Sequence, residues 1–437
     1  MLRQLSRVRS VAKNVVYLSM KAISLTLIAL CFLATASTWG DTAPGWPQWR
    51  GPSRDGQSAG PAWPASLDEA HLKSQWKVNL APSYSGPVIQ NGLVYTTETA
   101  NKETEVVLAY ALDSGKEQWK AEWEGVMRVP FFASKNGSWI RSTPASDGES
   151  LFVAGMRDVL VCLDARTGKE RWRMDFVKKL GTKLPDFGFV CSPLLTKETV
   201  IVQAGASVVA LKKQTGEIVW RSLADGGGMN GSAFSSPVIQ SVSGRQQLLV
   251  QTRSDLCGLD PDSGKVLWKE AVPAFRGMNI LTPIVHDGLI FTTTYGGKAL
   301  GLNITGTPSA MKPVTKWELK MEGYMSSPVI IDGHAYVHLK NKRFSCVDLN
   351  TGTEKWTTKK KFGTYWSLIA HGKQILALDE KGELLLIDAN PNEFTMRSRR
   401  KLDVKNCWAH LAISGDRLIV RSLKRLEVFR WTTPGNA

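Results

Sequence analysis

Short apolar strands alternate with polar turns along almost the whole chain after residue 72. The clearest unit runs from Leu160 to Trp172 and reads as an apolar strand, an Asp, a tight turn and a return strand that ends on Trp. Gly168 suits a turn position with positive φ, and the side chains of Asp164 and Thr167 can bond the exposed turn amides. Each such unit, called the turn phrase below, predicts a β-hairpin.

The turn phrase recurs, and its recurrence predicts the fold. Further copies end at Trp119, Trp220, Trp268 and Trp356, with degenerate copies ending at Trp317 and near Phe394. A second phrase precedes each copy: a small hydroxyl residue, usually followed by Pro, and then a short apolar strand. Its positions are Pro87, Pro144, Pro193, Pro237, Pro283, Pro328, Leu368 and Leu411. Seven steps over these 324 residues give a period of about 46 residues, which is typical of propeller blades.

We therefore predict an all-β fold, an eight-bladed β-propeller made of four-stranded antiparallel blades. Residues 72–80 carry a strand with Trp76 but lack the hairpin half that should precede it. Residues 410–431 supply three strand-like segments and lack a fourth. Because the two deficits match, we expect the N-terminal strand to complete the last blade and close the ring.

The chain before residue 72 divides into two parts. Residues 1–40 contain five cations, no acidic residue and an apolar run that ends on Ala34-Thr35-Ala36. This pattern predicts a signal peptide and export to the periplasm or the cell exterior, with an uncleaved N-terminal anchor as the alternative. Residues 41–71 are predicted to be an irregular lead-in, and residues 72–437 a single propeller domain.

Charge and cysteine content limit the partners and the chemistry. The formal charge is +16, and subtracting the five cations of residues 1–40 leaves +11. Basic runs at 340–343, 359–361 and 397–401 can attract an anionic polymer, a glycan or an acidic protein. Export argues against a nucleic-acid partner. The five cysteines after residue 40 are scattered and odd in number, so we expect free core thiols and no disulfide framework.

The Ala-x-Asp-x-x-Thr-Gly-x-x-x-Trp phrase resembles the repeat of pyrroloquinoline-quinone (PQQ)-type propellers, and the resemblance covers nearly the whole chain after residue 40. That superfamily contains PQQ-dependent dehydrogenases and the non-catalytic BamB-like propellers of outer-membrane protein assembly. The opening Trp46-Pro-Gln-Trp-Arg-Gly-Pro is similar to that of many exported bacterial propellers of this kind. The resemblance is specific for the fold and broad for the function.

In such propellers, the segment that joins the outer strand of one blade to the inner strand of the next lies near the central funnel. We expect a binding face there, built from the residues three places before the blade-opening Pro or its equivalent. The candidate binding residues are Tyr84, Arg141, Phe234, Met325, Tyr365 and Trp408. Their aromatic faces and one guanidinium suit a peptide, a glycan or a flat cofactor. Packing between blades is the alternative role for the same rings.

The sequence predicts no catalytic residue and no metal site. The best-known PQQ alcohol dehydrogenases have an adjacent Cys-Cys pair, and quinone chemistry needs a hard cation and a carboxylate base. Here no two cysteines are adjacent and funnel-side carboxylates are sparse. His334 and His338 share the face of a strand, but an i, i+4 pair on a strand lies ~13 Å apart.

We therefore predict a monomeric, exported, non-enzymatic scaffold that works without a cofactor and binds a protein or peptide in the cell envelope. Two alternatives stay open. One is an alcohol or sugar dehydrogenase that uses PQQ with calcium, and the other is a surface propeller that binds a glycan or another polymer.

Overall fold

The structure is a computed structural model that describes residues 45–432 except 126, 230 and 232. The predicted signal peptide and its alternative, an uncleaved anchor, lie outside these residues. The described residues contain no helix long and apolar enough to cross a membrane. Their strands form eight four-stranded antiparallel sheets, which confirms the predicted eight-bladed β-propeller.

The first four blades follow one another along the chain. Blade 1 consists of β2 (Val88–Gln90), β3 (Leu93–Ala100), β4 (Thr104–Ala111) and β5 (Glu117–Glu124). Blade 2 consists of β6 (Ala145–Ser146), β7 (Ser150–Gly155), β8 (Val159–Asp164) and β9 (Glu170–Asp175). Blade 3 consists of β10 (Leu194–Leu195), β11 (Thr199–Ala204), β12 (Ser207–Lys212) and β13 (Ile218–Ser222). Blade 4 consists of β14 (Val238–Val242), β15 (Arg245–Gln251), β16 (Asp255–Leu259) and β17 (Val266–Ala271).

The remaining blades repeat this order. Blade 5 consists of β18 (Ile284–His286), β19 (Leu289–Thr293), β20 (Ala299–Thr307) and β21 (Ala310–Leu319). Blade 6 consists of β22 (Val329–Ile331), β23 (His334–His338), β24 (Phe344–Asp348) and β25 (Glu354–Thr357). Blade 7 consists of β26 (Trp366–His371), β27 (Gln374–Asp379), β28 (Glu383–Asp388) and β29 (Thr395–Lys401). Blade 8 consists of β30 (Ala412–Ser414), β31 (Arg417–Ser422), β32 (Arg425–Trp431) and β1 (Leu72–Asn79).

Helical segments in the described residues are short and lie between blades. Two are 3₁₀ turns, at Phe131–Asn136 and Phe275–Gly277. The third is α1 (Phe176–Leu180), where the Asp175 side chain accepts a hydrogen bond from the backbone N–H of Lys178 and so caps the helix.

The ring closes as the sequence predicts. Strand β1 pairs antiparallel with β32, from Leu72 opposite Trp431 to Asn79 opposite Arg425, with a register shift between Ser74 and Trp76. The N-terminal strand therefore supplies the outer strand of blade 8. Strand β32 is therefore paired on both sides, with β31 and with β1, and leaves no exposed sheet edge of its own.

The tryptophan of the turn phrase packs on the turn of the next blade. Trp119 Nε1 donates to the Ala165 carbonyl over 3.0 Å, and a Cβ added to Gly168 would lie 2.4 Å from the Trp119 ring. Gly168 has a φ of +71°, so both its conformation and its lack of a side chain are needed. Equivalent indole-to-carbonyl bonds join Trp76 to Leu112, Trp172 to Lys213, Trp220 to Pro261, Trp317 to Leu349 and Trp356 to Asn390.

Residues 45–58 of the lead-in run along the first strands of the blades, which contact one another around the propeller axis. Trp46 pairs with Ile89 of blade 1 through two backbone hydrogen bonds of 2.8 and 2.9 Å. Ala370 of blade 7 bonds Gly56 and Ser58 in the same way, at 2.8 Å each. The lead-in therefore occupies part of the axial channel.

Candidate binding face

The antiparallel order of each blade places two sets of connections on one face. The segment that enters a blade and the hairpin between its second and third strands both lie at the same end of the strands. We call this end of the propeller the loop face. All six candidate residues lie in segments that enter blades, so the loop face is where they can meet.

Three of the candidate rings form a group close to the axis, which we call the axial cluster: Tyr84, Tyr365 and Trp408. Tyr365 stacks on Trp408 with centroids 5.7 Å apart and an interplanar angle of 21°, and Tyr84 lies 6.2 Å from Trp408. Tyr365 is only 9% exposed, and burial raises the pKa of its hydroxyl. The axial cluster is therefore largely packed.

Arg141 joins this cluster from the long segment between blades 1 and 2. Its Nη2 donates to the Gly137 carbonyl over 3.0 Å and its Nε to the Trp139 carbonyl over 3.3 Å. Burial lowers the pKa of Arg141 to about 10, and the only charge effect that raises it comes from Tyr84. Among the described residues Arg141 forms no ion pair with a carboxylate, so it keeps an uncompensated charge beside the rings.

A second series of rings extends outward along the loop face. It begins at the segment between blades 1 and 2, where Phe131 is 89% and Phe132 is 56% exposed. Centroids of Phe131 and Phe132 lie 5.8 Å apart, those of Phe132 and Phe187 6.3 Å, and those of Phe187 and Phe234 5.6 Å. These edge contacts carry an apolar surface from blade 2 to blade 4.

The series continues over blades 4 to 6 through a guanidinium. Arg253 places its Cζ 4.4 Å from the Phe234 centroid, and its Nη2 donates to the Arg276 carbonyl over 2.9 Å. Arg276 follows Phe275, which is 49% exposed. The ring centroids of Phe275 and Tyr295 lie 5.3 Å apart, and those of Tyr295 and Tyr324 lie 4.8 Å apart. Lys340 Nζ lies 4.3 Å from the Tyr295 centroid.

We call this continuous surface the aromatic arc. It consists of Phe131, Phe132, Phe187, Phe234, Phe275, Tyr295, Tyr324 and the cations Arg253 and Lys340. The aromatic arc is longer than the axial cluster, and several of its rings face solvent. Each of its two cations lies over an aromatic ring.

The structure thus divides the candidate residues between two regions. Tyr84, Arg141, Tyr365 and Trp408 belong to or adjoin the axial cluster, and Phe234 belongs to the aromatic arc. Met325 is half-buried next to Tyr324 in the chain.

Reasoning from the blade-entry positions missed Phe131, Phe275, Tyr295 and Arg253. The adjacent Phe pair in the longest insertion was a usable signal. Tyr295 and Arg253, in contrast, lie on hairpins inside blades, which the alignment on Pro did not sample.

A calcium-dependent quinone site would need a cluster of oxygen ligands on the loop face. Within the described residues, no group of three or more His, Cys, Asp or Glu side chains could hold a metal ion. Next to the axial cluster, Glu380 accepts hydrogen bonds from the backbone N–H groups of Thr364 and Tyr365, at 2.8 and 3.2 Å.

The basic runs are partly neutralised by neighbouring carboxylates. Arg397 pairs with Asp388 at 2.9 Å, Arg399 with Glu383 at 3.6 Å, and Lys340 with Glu322 at 3.1 Å. Exposed pairs of this kind contribute little to stability, but each reduces the local positive field.

The five cysteines of the described chain are buried and free.

The chain is similar to known proteins in both sequence and fold. A family model described as outer membrane protein assembly factor BamB matches residues 102–358, more than half of the chain. The outer membrane protein assembly factor BamB of Yersinia pestis is 23% identical over 284 residues, which cover 62% of this chain and 69% of that protein.

Two solved structures share the fold. BamB from Moraxella catarrhalis superposes with a TM-score of 0.59 at 17% identity, covering 84% of this chain and 99% of that one. The quinohemoprotein alcohol dehydrogenase ADHIIG from Pseudomonas putida HK5 gives a TM-score of 0.62 at 12% identity, with 90% and 81% covered. At these identities the likeness shows the propeller fold, and it does so for a dehydrogenase as well as for an assembly factor.

Proposed function

We propose a function from one premise: this chain belongs to the family of the outer membrane protein assembly factor BamB. The proposal is that the chain is an exported, non-enzymatic scaffold in the cell envelope that binds a protein partner through the aromatic arc. In this proposal the scaffold serves outer membrane protein assembly, the process named in the description of the Yersinia pestis relative.

The exposed apolar surface of the aromatic arc carries this proposal. Phe131, Phe132 and Phe275 are all more than 45% exposed. Soluble proteins rarely keep a contiguous apolar patch in solvent unless it binds something, and aromatic and Arg side chains dominate the energy of protein interfaces. A polypeptide segment that lays apolar side chains along the rings would cover it.

The cations of the aromatic arc favour a protein over a polyanion. Arg253 and Lys340 lie over rings, and Lys340 is also paired with Glu322, which reduces the charge that Lys340 offers to a phosphate or sulfate chain. The basic runs at 359–361 and 397–401 lie outside the arc. A glycan- or polymer-binding function therefore has less support from these contacts than a protein-binding one.

Site-specific photocrosslinking in the native envelope tests the proposal. A photoreactive amino acid at Phe132 should crosslink to one protein, whereas the same group at Val314, which is 48% exposed on β21, should not. The Val314 position controls for apolar exposure away from the loop face. Equal crosslinking from both positions, or none from Phe132, would contradict a specific partner on the arc.

The quinone alternative is tested separately by adding PQQ and calcium to the purified protein. We expect no change in the absorption spectrum of the quinone and no dye-linked oxidation of alcohols or sugars. A spectral shift that saturates with PQQ, together with substrate-dependent dye reduction, would replace the scaffold proposal with an enzyme.

A further inference from the structure

The loop face of blades 6 to 8 carries a series of exposed lysines, which we call the basic band. They lie in the hairpins between the second and third strands of these blades, in the segments that join the blades, and at the end of β29. The lysines of the band are Lys342, Lys359, Lys360, Lys361, Lys381, Lys401, Lys405 and Lys424. Most of them are far apart in the sequence, so the fold gathers them at one end of the propeller.

Hydrogen bonds hold the blade 6 and blade 7 parts of the basic band side by side. The Phe362 N–H donates to the Lys342 carbonyl over 2.8 Å, which places residues 359–361 beside the hairpin of blade 6. Glu380, in the hairpin of blade 7, accepts the Thr364 N–H over 2.8 Å. The segment between blades 6 and 7 is therefore fixed on both sides.

The band continues onto blade 8 in the same way. Lys401 Nζ donates to the Lys381 carbonyl, which joins the end of β29 to the hairpin of blade 7. Arg425 Nη1 donates to the Asp403 carbonyl over 2.8 Å and so brings the hairpin that contains Lys424 beside the segment that enters blade 8. A groove of about 550 Å³ lies between this hairpin and this segment, and its lining includes two lysines of the band.

The carboxylates of the same segments do not neutralise the basic band. Glu322 pairs with Lys340 at 3.1 Å and Asp403 with Arg425 at 3.5 Å, and neither cation belongs to the band. Asp379 is 2% exposed, and its carboxylate accepts backbone N–H groups of its own hairpin. In the part of the chain that the structure describes, no lysine of the band forms an ion pair with a carboxylate. The positive charge therefore remains available at the surface.

The residue types of the basic band favour a lipid surface over a protein. Lysine is a strongly hydrated point charge on a flexible stem, and protein interfaces are depleted in lysine and enriched in arginine and aromatic residues. The rings next to the band, Phe362 and Tyr365, are 8% and 9% exposed and offer little apolar area to a protein. An anionic bilayer needs no fixed partner geometry, because its headgroups can move to each lysine.

We propose that the basic band docks the propeller on an anionic phospholipid surface, with the loop face of blades 6 to 8 toward the headgroups. Clusters of about 4–8 Lys or Arg residues bind anionic lipids, and each cation near the surface strengthens binding by roughly fivefold. The hairpin with Lys342 also contains Lys340 of the aromatic arc, so docking brings the arc close to the membrane.

Vesicle flotation with the exported protein tests the proposal. We expect it to bind vesicles made of equal amounts of phosphatidylglycerol and phosphatidylcholine at least about tenfold more tightly than vesicles of phosphatidylcholine alone. Raising the salt to about 0.5 M should remove this difference, because counterions screen exposed charges. Equal binding to the two kinds of vesicle at low salt, or a difference that survives the salt, would overturn the proposal.

Two matched triple variants locate the contact. The first removes three charges of the basic band and consists of Lys359→Gln, Lys360→Gln and Lys361→Gln. It should weaken binding to phosphatidylglycerol vesicles by at least about tenfold. The control removes three exposed charges from turn phrases, at the opposite end of the propeller, and consists of Lys116→Gln, Lys169→Gln and Lys265→Gln. The control should bind like the parent, and an equal loss in both variants would mean that only net charge matters and would overturn the proposal.

An acidic protein is the alternative occupant of the basic band, and it gives a different result. In that case the first variant binds phosphatidylglycerol vesicles like the parent but loses the protein that is crosslinked from Phe132, and the lipid proposal is wrong. Melting curves check that both variants fold. The vesicle assays contain no protein partner, so they can fail while the proposed function stands.

Discussion

The axial cluster and the aromatic arc are both groups of aromatic rings on the same face, but they differ in how far their least buried rings reach into solvent. Tyr365 is 9% exposed in the axial cluster, and Phe131 is 89% exposed in the aromatic arc. Arg141 bonds carbonyls of its own segment, whereas Arg253 lies over the ring of Phe234 and bridges two loops. The first group therefore has its contacts within the fold, and the second has surface left for a partner.

The difference shows why aromatic richness alone does not identify a binding site. Rings close to a propeller axis are forced together because eight blade-entry segments converge there. Rings further out have room to remain in solvent. Aromatic residues thus pack within the fold in one region and leave apolar surface in solvent in the other.

The largest expected effect comes from removing the axial cluster. Tyr365→Ala with Trp408→Ala should lower the free energy of unfolding by more than about 3 kcal/mol, because both rings lose packing contacts. The two losses will not add, since the rings touch each other. Denaturant unfolding measures this, and a double variant as stable as the parent would remove the distinction between the two regions.

A titrating group in blade 1 gives the next effect. Glu105 is fully buried, its Oε1 accepts the Met156 N–H and its Oε2 the Trp123 Nε1–H, and burial raises its pKa from 4.5 to about 7. The folded state therefore holds a proton that the unfolded state releases. The stabilising contribution of this proton is fully present below pH 4.5. It is lost as the pH rises through 7, which lowers the free energy of unfolding by up to about 3 kcal/mol.

Glu105→Gln tests this pH dependence, and Glu117→Gln on the exposed start of β5 is its control. The first variant should flatten the fall in stability between pH 4.5 and 8, and the second should retain it. The measurement is the slope of the free energy of unfolding against pH. The absolute value is not informative, because the Gln amide would present a donor to Trp123 and lower stability at every pH. An unchanged slope in Glu105→Gln would contradict the assignment.

A smaller effect is expected at Arg253, which holds the two halves of the aromatic arc together. Arg253→Lys keeps the charge but loses the planar contact with Phe234 and the fork that reaches the carbonyls of Met229 and Arg276. We expect a loss of about 1–2 kcal/mol in stability together with weaker crosslinking from Phe132. Arg399→Lys, on the exposed side of β29, should change neither.

The smallest effect on stability is expected where the effect on binding is largest. Phe131→Ser with Phe132→Ser should change the free energy of unfolding by no more than about 0.5 kcal/mol, because both rings are exposed. The same variant should lose the partner that the photocrosslinker captures. A destabilised variant, or one that retains the partner, would mean that the aromatic arc resembles the axial cluster after all.

The repeat architecture followed from local sequence signals. The turn phrase places Asp164, Thr167 and Gly168 within a few residues of one another, and the structure shows Asp164 accepting hydrogen bonds from the backbone and side chain of Thr167 at 2.9 Å each. Closure by the strand around Trp76 was also readable, since a missing strand at one end matched a surplus strand at the other. Signals of this kind depend on neighbours in the chain, so the sequence alone contains them.

The candidate site was only partly readable. The blade-entry positions identified four residues of the axial cluster region and Phe234, but they could not separate packed rings from exposed ones. That separation depends on which hairpin of a neighbouring blade lies beside each loop, as Arg253 lies beside Phe234.

What the sequence by itself determined is the number of blades, their turns and the closure of the ring, because each is written in residues a few positions apart. Only the tertiary structure decided that the lead-in enters the axial channel. Arg50 bonds the Pro328 carbonyl 278 residues away, and Arg54 bonds that of Pro193 139 residues away. Carbonyl groups occur in every residue, so a contact made to one leaves no pattern in the sequence, and only the folded chain shows which carbonyl an arginine reaches.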